Sequence, residues 1–182
     1  MNHRIRLAMQ QGTFDKMVGQ IEADETFVVG LARFMHKDKR AKKIKGTGGA
    51  GKELVVGLLD RETRKVRVAH VADRKKKTLQ AHVKANVEAG TEVFTDELAR
   101  YAGLDKDHVH NVINHAESYV KGNIHTNGIE NFWSPLKRSI KGTHVHVSPR
   151  HLAKYLAEFE FRWNLRQHPE QMFPRLLEHL AT

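Results

Sequence analysis

The chain has 182 residues, which suits one domain with its own hydrophobic core. It contains no cysteine, which excludes disulfides and thiolate zinc sites, and no apolar run approaches the roughly 20 residues that span a membrane. The net charge of +10 favours a phosphate-rich partner over an acidic or membrane-buried one. We therefore expect a soluble, intracellular globular protein with no membrane partner.

The positive charge is concentrated in three segments. Arg33–Lys52 and Arg61–Lys77 each carry eight Lys or Arg residues, and Lys137–Lys141 adds a third cluster. Any one of these segments is equally typical of a solvated loop. Together they favour binding to nucleic acid.

The first fifty residues predict a helix, a strand and a loop. Met1–Lys16 is predicted to form a short amphipathic helix, and Gln20–Val29, which is rich in β-forming residues, a strand. Four glycines indicate that Gly30–Lys52 is a basic loop without regular structure. This loop lacks the Walker spacing and precedes a strand, so we do not interpret it as a phosphate-binding loop.

The rest of the chain predicts a meander followed by alternating helices and strands. Period-2 and helical patterns indicate strands at Glu53–Leu59, Lys65–Val71, Glu92–Thr95 and His108–Ile113, with helices at Lys76–Ala89, Asn127–Ile140 and Pro149–Arg166. This order is the plan of a ribonuclease-H-like sheet, although periodicity alone supports only a mixed α/β class.

Three carboxylates stand where such a sheet brings side chains together. Asp24 interrupts an apolar strand, Asp96 follows a buried strand at its carboxyl end, and Glu130 lies early in a helix. Hard carboxylate oxygens are the ligands that Mg²⁺ prefers, and paired Mg²⁺ ions catalyse phosphodiester chemistry. The pattern is compatible with a metal-dependent phosphoryl-transfer site.

Each acid also has an ordinary structural interpretation. Asp24 could be an edge-strand charge, with Glu22 or Glu25 as interchangeable surface acids. Asp96 could cap the turn into residues 97–101. Glu130 could form a capping box with Asn127 as the N-cap residue. From residue type and spacing alone, these alternatives remain open.

A longer sequence pattern favours the catalytic interpretation of these acids over the structural ones. The segments IEADETFVVG, VFTDELARY and HTNGIENFWSPLKRSIKGTHVHVSPRHLAKYLAEFEFRWNLR occur in this order between residues 21 and 166. Together they resemble the transposases of IS1595-type insertion sequences, the ISXO2-like transposase domain. The resemblance implies a ribonuclease-H-like fold and a domain that cuts transposon ends and joins them to target DNA.

The resemblance also implies roles for individual residues. Asp24, Asp96 and Glu130 are expected to hold Mg²⁺ or Mn²⁺, with two ions bound, and Asn127 is a rival for the third ligand. The family has a basic residue seven positions after that ligand, here Lys137, as a further catalytic-site residue. The expected DNA contacts are Lys137, Arg138, Lys141 and His125.

Several side chains near these residues have open interpretations. Pro135 either kinks the helix that carries Glu130 and Lys137 or starts a new helix capped by Ser134. Trp133 is either a core residue or a platform on which a base stacks. Near Asp96, Tyr101 and Arg100 are plausible DNA contacts.

The same family implies the organisation of the chain. Residues 17–168 are expected to form the catalytic domain, 1–16 the remnant of an N-terminal helical region, and 169–182 a C-terminal helical tail. Relatives carry a cysteine zinc ribbon before the catalytic domain, and this chain has none, so we expect DNA binding with little sequence preference. The expected partners are transposon terminal inverted repeats, target DNA and further copies of the chain, in the bacterial cytoplasm at the nucleoid. A truncated, catalytically incompetent DNA-binding remnant and a host-adapted ribonuclease-H-like nuclease are the alternatives.

Overall fold

A five-stranded mixed sheet forms the centre of the protein. The computed structural model describes residues 2–10, 15–30, 36–44, 49–95, 100–112, 126–144 and 147–181. The strands are β1 (Gln20–Val28), β2 (Glu53–Asp60), β3 (Val66–Val71), β4 (Glu92–Thr95) and β5 (Val109–Val112), in the spatial order β3-β2-β1-β4-β5. The first three pair antiparallel, whereas β4 lies parallel to both β1 and β5. This is the ribonuclease-H-like arrangement, and it confirms the predicted fold class.

Helices cover both faces of the sheet. They are α1 (Asn2–Ala8), α2 (Lys37–Lys43), α3 (Lys76–Asn86), α4 (Asn127–Arg138), α5 (Pro149–Asn164) and α6 (Met172–Ala181), and one π-helical turn, Ser139–Thr143, follows α4. Among the described residues, no helix is long and apolar enough to cross a bilayer.

The sheet separates two hydrophobic cores, one on each of its faces. On one face, the apolar sides of α4 and α5 pack on β2, with Ile129, Phe132 and Leu156 almost completely buried. On the other face, α3 packs on β1 and β2 through Leu79 and Val83. Because side chains alternate along a strand, every second residue of β1 points toward α4.

The free edge of β3 is covered by side chains of α5. Asn164 accepts a hydrogen bond from the backbone N–H of Val66 at 2.8 Å, and Glu160 accepts one from Val68 at 2.9 Å. These contacts satisfy donors that an edge strand leaves unpaired. Burial raises the pKa of Glu160 to about 7, against the smaller opposing effects of the Val68 hydrogen bond and Arg67.

Three predicted elements differ from the structure. The predicted loop at Gly30–Lys52 contains α2, so the prediction of no regular structure there is wrong. The N-terminal helix ends at Ala8, with residues 11–14 outside the described ones. The predicted helix over Lys76–Ala89 ends at Asn86, because the next residue forms a parallel bridge to Met17.

Candidate active site

Asp24 lies near the middle of the central strand with both carboxylate oxygens engaged. Its Oδ2 accepts a hydrogen bond from the indole Nε1 of Trp133 at 2.8 Å, and its Oδ1 accepts the backbone N–H of Glu25 at 2.7 Å. The side chain is only half-buried. The two hydrogen bonds hold the carboxylate group in one orientation.

The indole reaches Asp24 because the neighbouring strand carries a glycine. Gly57 is the β2 partner of Asp24, and a Cβ at this position would lie 2.5 Å from the Cη2 atom of Trp133. Any side chain there would displace the ring. Trp133 is 4% exposed, so it is a core residue, as one of its two interpretations predicted, and is not a platform for base stacking.

A second acid of β1, Glu22, holds the beginning of α4. It is completely buried, and its Oε2 accepts the backbone N–H of Ile129 at 2.8 Å. Its Oε1 pairs with Arg61 at 2.9 Å, and the guanidinium of Arg61 lies 3.7 Å from the ring centroid of Phe94. Glu22 is therefore not a surface acid interchangeable with Asp24, and the edge-strand interpretation is wrong because β1 is central.

The capping box proposed for Glu130 is absent. The N-cap residue of α4 is Thr126, Asn127 is already helical, and no side chain makes a capping hydrogen bond from that position. The buried carboxylate of Glu22 satisfies the Ile129 N–H instead. Glu130 and Asn127 are both exposed on the first turn, so Glu130 has no capping role that competes with ligand binding.

The helix α4 continues through Pro135 without interruption. It extends from Asn127 to Arg138, so Ser134 does not cap a new helix. Residues seven apart on a continuous helix differ by about 20° in direction. Glu130 and Lys137 therefore share a face, with Trp133 between them on its buried side.

Lys137 lies within electrostatic range of Asp24. Partial burial of the ammonium group lowers the pKa of Lys137, while the carboxylate of Asp24 opposes this effect and the cations Lys141 and Lys52 add to it. Lys137 also lines an open groove on the solvent side of α4, together with Ser134, Arg138, Lys141 and Gly142. The predicted lysine and the first predicted acid are thus neighbours, and the predicted basic residues Arg138 and Lys141 border the same groove.

Two predicted site residues, Asp96 and His125, lie outside the described residues. The strand β4 ends at Thr95, which is the parallel partner of Ala23, the residue before Asp24. Within the described ranges, no three His, Asp or Glu side chains are grouped to hold a metal ion. Asp24 and Glu130 are the two predicted acids within the described residues, and the fixed carboxylate oxygens of Asp24 are hard donors that fit Mg²⁺.

For two residues near the site, the structure gives a different role from the one that the sequence predicts. Tyr101 was a candidate DNA contact but is 2% exposed, and its hydroxyl donates to Glu25 at 2.9 Å on the other face of the sheet. Burial, followed by the charge of Glu25, raises the pKa of Tyr101 well above its usual value. The sequence assigns Lys52 only to a basic loop, although its charge lowers the pKa of Lys137. The one sequence feature that indicates a role for Lys52 is its position just before a strand.

Comparisons with known proteins identify a family for this chain. The family of the ISXO2-like transposase domain matches the chain over residues 16–164, which include β1 and the whole of α4. No curated protein matches the sequence. Among solved structures, the catalytic core domain of BIV integrase is similar with a TM-score of 0.47 and 9% identity, covering 78% of this chain and 81% of that one. A chain of the simian T-cell lymphotropic virus intasome, solved in complex with PP2A regulatory subunit B56 gamma, gives a TM-score of 0.44 and 11% identity over 82% and 54% of the two chains.

Proposed function

Because the chain belongs to the ISXO2-like transposase domain family, we propose that it cuts DNA at transposon ends and joins the ends to target DNA. The observation that carries this proposal is the fixed carboxylate of Asp24 on the central strand, within electrostatic range of Lys137. A carboxylate held in one orientation is suited to bind a metal ion, and a nearby ammonium is suited to bind a phosphate.

The proposed catalytic acids are Asp24, Asp96 and Glu130. Asp96 follows Thr95 in the sequence, and Thr95 is the parallel partner of Ala23, the residue before Asp24, which supports Asp96 as the second acid. Glu130 is supported as the third acid by its charge, its exposure and its position on the face of α4 that also carries Lys137. Asn127, one turn earlier, is a neutral and therefore weaker rival.

Two Mg²⁺ or Mn²⁺ ions, when bound by these acids, supply charge stabilisation for the attacking and leaving oxygens of an in-line displacement. The contribution of the chain itself is orientation. Trp133 and the Glu25 N–H hold the Asp24 carboxylate, and Glu22 holds the first turn of α4. We propose that Lys137 binds the scissile or a flanking phosphate.

We propose DNA as the partner, with contacts from Lys137, Arg138 and Lys141 along the groove of α4 and from His125, which precedes α4 in the sequence. Such a protein is expected at the bacterial nucleoid and as a homo-oligomer on paired DNA ends. We assign residues 17–168 to the catalytic domain. Arg6 of α1 pairs with Glu158 of α5 at 2.6 Å, which ties the N-terminal segment to this domain, and His179 of α6 bonds the carbonyl of Ala8 in α1 at 2.7 Å, which ties the two flanking segments together.

The test is Mg²⁺-dependent nicking and joining of a duplex that carries the terminal repeat, compared between the unchanged chain and Asp24→Asn. The asparagine retains a carbonyl oxygen that accepts the Trp133 indole N–H, so the fold is expected to persist while the negative charge is lost. We expect nicking to fall by at least about a hundredfold. The matched control is Asp105→Asn, an exposed acid of the same type away from the site.

The outcomes separate the candidate functions. Nicking and joining by the unchanged chain, both lost in Asp24→Asn, support a transposase. Nicking without joining indicates a nuclease on the same fold. DNA binding without metal-dependent nicking indicates a catalytically incompetent remnant. Full activity of Asp24→Asn contradicts the assigned acids.

A further inference from the structure

A short basic helix projects from the connection between β1 and β2. We use the name basic arm for residues 36–44, which contain α2, together with residues 49–52. Four cations of α2, at positions 37, 39, 40 and 42, are exposed, and its only apolar side chain is Ala41. Among the described residues, no ion pair joins these four cations to another side chain.

Packing at the base of the arm fixes its position. Gly49 lies against the ring of Phe27, where a Cβ would be 2.5 Å from the Cζ atom, so only glycine fits. The side chain of Ile44, which ends the helix, lies 3.1 Å from the Cβ position of Gly51. The glycine cluster that predicted an unstructured loop therefore allows close contact between the arm and the ends of β1 and β2.

The arm is not stabilised by its own sequence. Helices shorter than about 12 residues are marginal in water, and this one is polar on every side. Its cations repel one another, with Asp38 as the single opposing charge. A helix of this kind gains stability when a polyanion neutralises it.

Basic residues continue from the arm to the candidate active site. Lys52 is exposed at the start of β2, and its charge lowers the pKa of Lys137 together with that of Lys141. The arm follows the carboxyl end of β1, beyond Asp24. Lys52 therefore links the charge of the arm electrostatically to the groove of α4.

We propose that the basic arm binds the phosphate backbone of the DNA duplex whose scissile phosphate lies at the Asp24 site. This inference rests on the proposed function, because it takes the site to act on DNA. Duplex DNA fits the arm better than a membrane does, since helices that bind bilayers need an apolar face and α2 has only Ala41. The contact carries no base readout, so it strengthens binding equally for all sequences.

The test compares two triple variants with the same change of charge. The arm variant is Lys37→Gln, Lys39→Gln and Arg40→Gln. The control variant is Lys106→Gln, Arg150→Gln and Arg175→Gln, which removes three exposed cations that lie outside the three basic segments and outside the groove. Binding of the full chain to a random-sequence duplex is measured by fluorescence anisotropy over a range of salt concentrations.

We expect the arm variant to bind at least tenfold more weakly at about 100 mM salt. The magnitude of its slope of log K against log salt is expected to be smaller by about 2 to 3. The control variant is expected to change the slope by less than about 1. Equal slopes for the two variants overturn the proposal. A larger loss of binding to phosphatidylserine vesicles than to DNA also overturns it, in favour of a membrane surface.

Failure of this inference differs from failure of the proposed function. If the arm does not bind DNA, the arm variant keeps both its DNA affinity and its nicking of the terminal-repeat duplex. If the site is not catalytic, the unchanged chain does not nick the duplex or Asp24→Asn leaves its nicking unchanged, while the salt slopes of the two triple variants still differ. The two measurements therefore decide the two questions separately.

Discussion

The indole N–H of Trp133 and the carboxylate of Asp24 meet at 2.8 Å across the interface between α4 and the central strand. This contact links two segments that are 109 positions apart, and it orients the acid on which the proposed chemistry depends. Two residues earlier on the same face of β1, Glu22 bonds the first turn of α4. The strand therefore positions both its own acid and the helix that carries Glu130 and Lys137.

Trp133→Phe is expected to impair catalysis more than folding. Phenylalanine retains one aromatic ring in the core but lacks both the N–H donor to Asp24 and the far edge of the indole that lies on Gly57, so some loss of stability accompanies the loss of the hydrogen bond. Because a hydrogen bond to a charged group contributes about 1.5–3 kcal/mol, we expect nicking to fall roughly tenfold to a hundredfold and its Mg²⁺ requirement to rise. Nicking across a Mg²⁺ titration, with the melting temperature measured in parallel, checks this. A fall in melting temperature with an unchanged Mg²⁺ requirement assigns Trp133 a packing role only.

Gly57→Ala is expected to destabilise the protein by about 1–3 kcal/mol, because the added methyl group overlaps the ring of Trp133. Urea unfolding gives the free energy directly. The control is Gly142→Ala, where a Cβ meets no atom within 4 Å. If both substitutions cost the same, the close approach of Trp133 to β2 is not the cause.

Glu160→Gln is expected to stabilise the protein at alkaline but not at acidic pH. Burial raises the pKa of Glu160 to about 7, from 4.5. For an acid with a raised folded-state pKa, stability is lost as pH rises from the unfolded pKa to the folded one. We expect a gain of about 1–3 kcal/mol near pH 8 and almost none near pH 4. Unfolding at both pH values measures this, with the exposed Glu178→Gln as control, and a gain that does not depend on pH contradicts it.

Lys137→Gln is expected to weaken DNA binding without altering the order of preference among DNA sequences. Loss of one phosphate contact reduces the slope of log K against log salt by about 0.9. The next residue, Arg138, is exposed and lines the same groove, so Arg138→Gln is the variant for comparison. Anisotropy titrations measure both variants. A sequence-dependent loss in Lys137→Gln indicates base contact instead.

The sheet was predictable from the sequence, because strand periodicity depends on local burial and each strand here has at least one covered face. The position of Glu22 was not predictable, since alternation along a strand does not reveal that the strand is central or which helix covers it. The prediction of a capping box was wrong for a related reason. Asn127 and Glu130 match the local pattern, but a carboxylate from a distant strand satisfies the helix terminus. The helix of the arm was not predicted, because glycines that allow close packing on Phe27 look the same in the sequence as glycines of a flexible loop.

The most direct test of the central claim is Mn²⁺ binding to the protein–DNA complex, followed by electron paramagnetic resonance. The account predicts that Asp24→Asn and Asp96→Asn each weaken Mn²⁺ binding at least tenfold, that Glu130→Gln weakens it less, and that Asn127→Ala leaves it unchanged. Unchanged Mn²⁺ binding in Asp24→Asn would contradict the assignment of Asp24 as a metal ligand, and with it the proposed catalytic site.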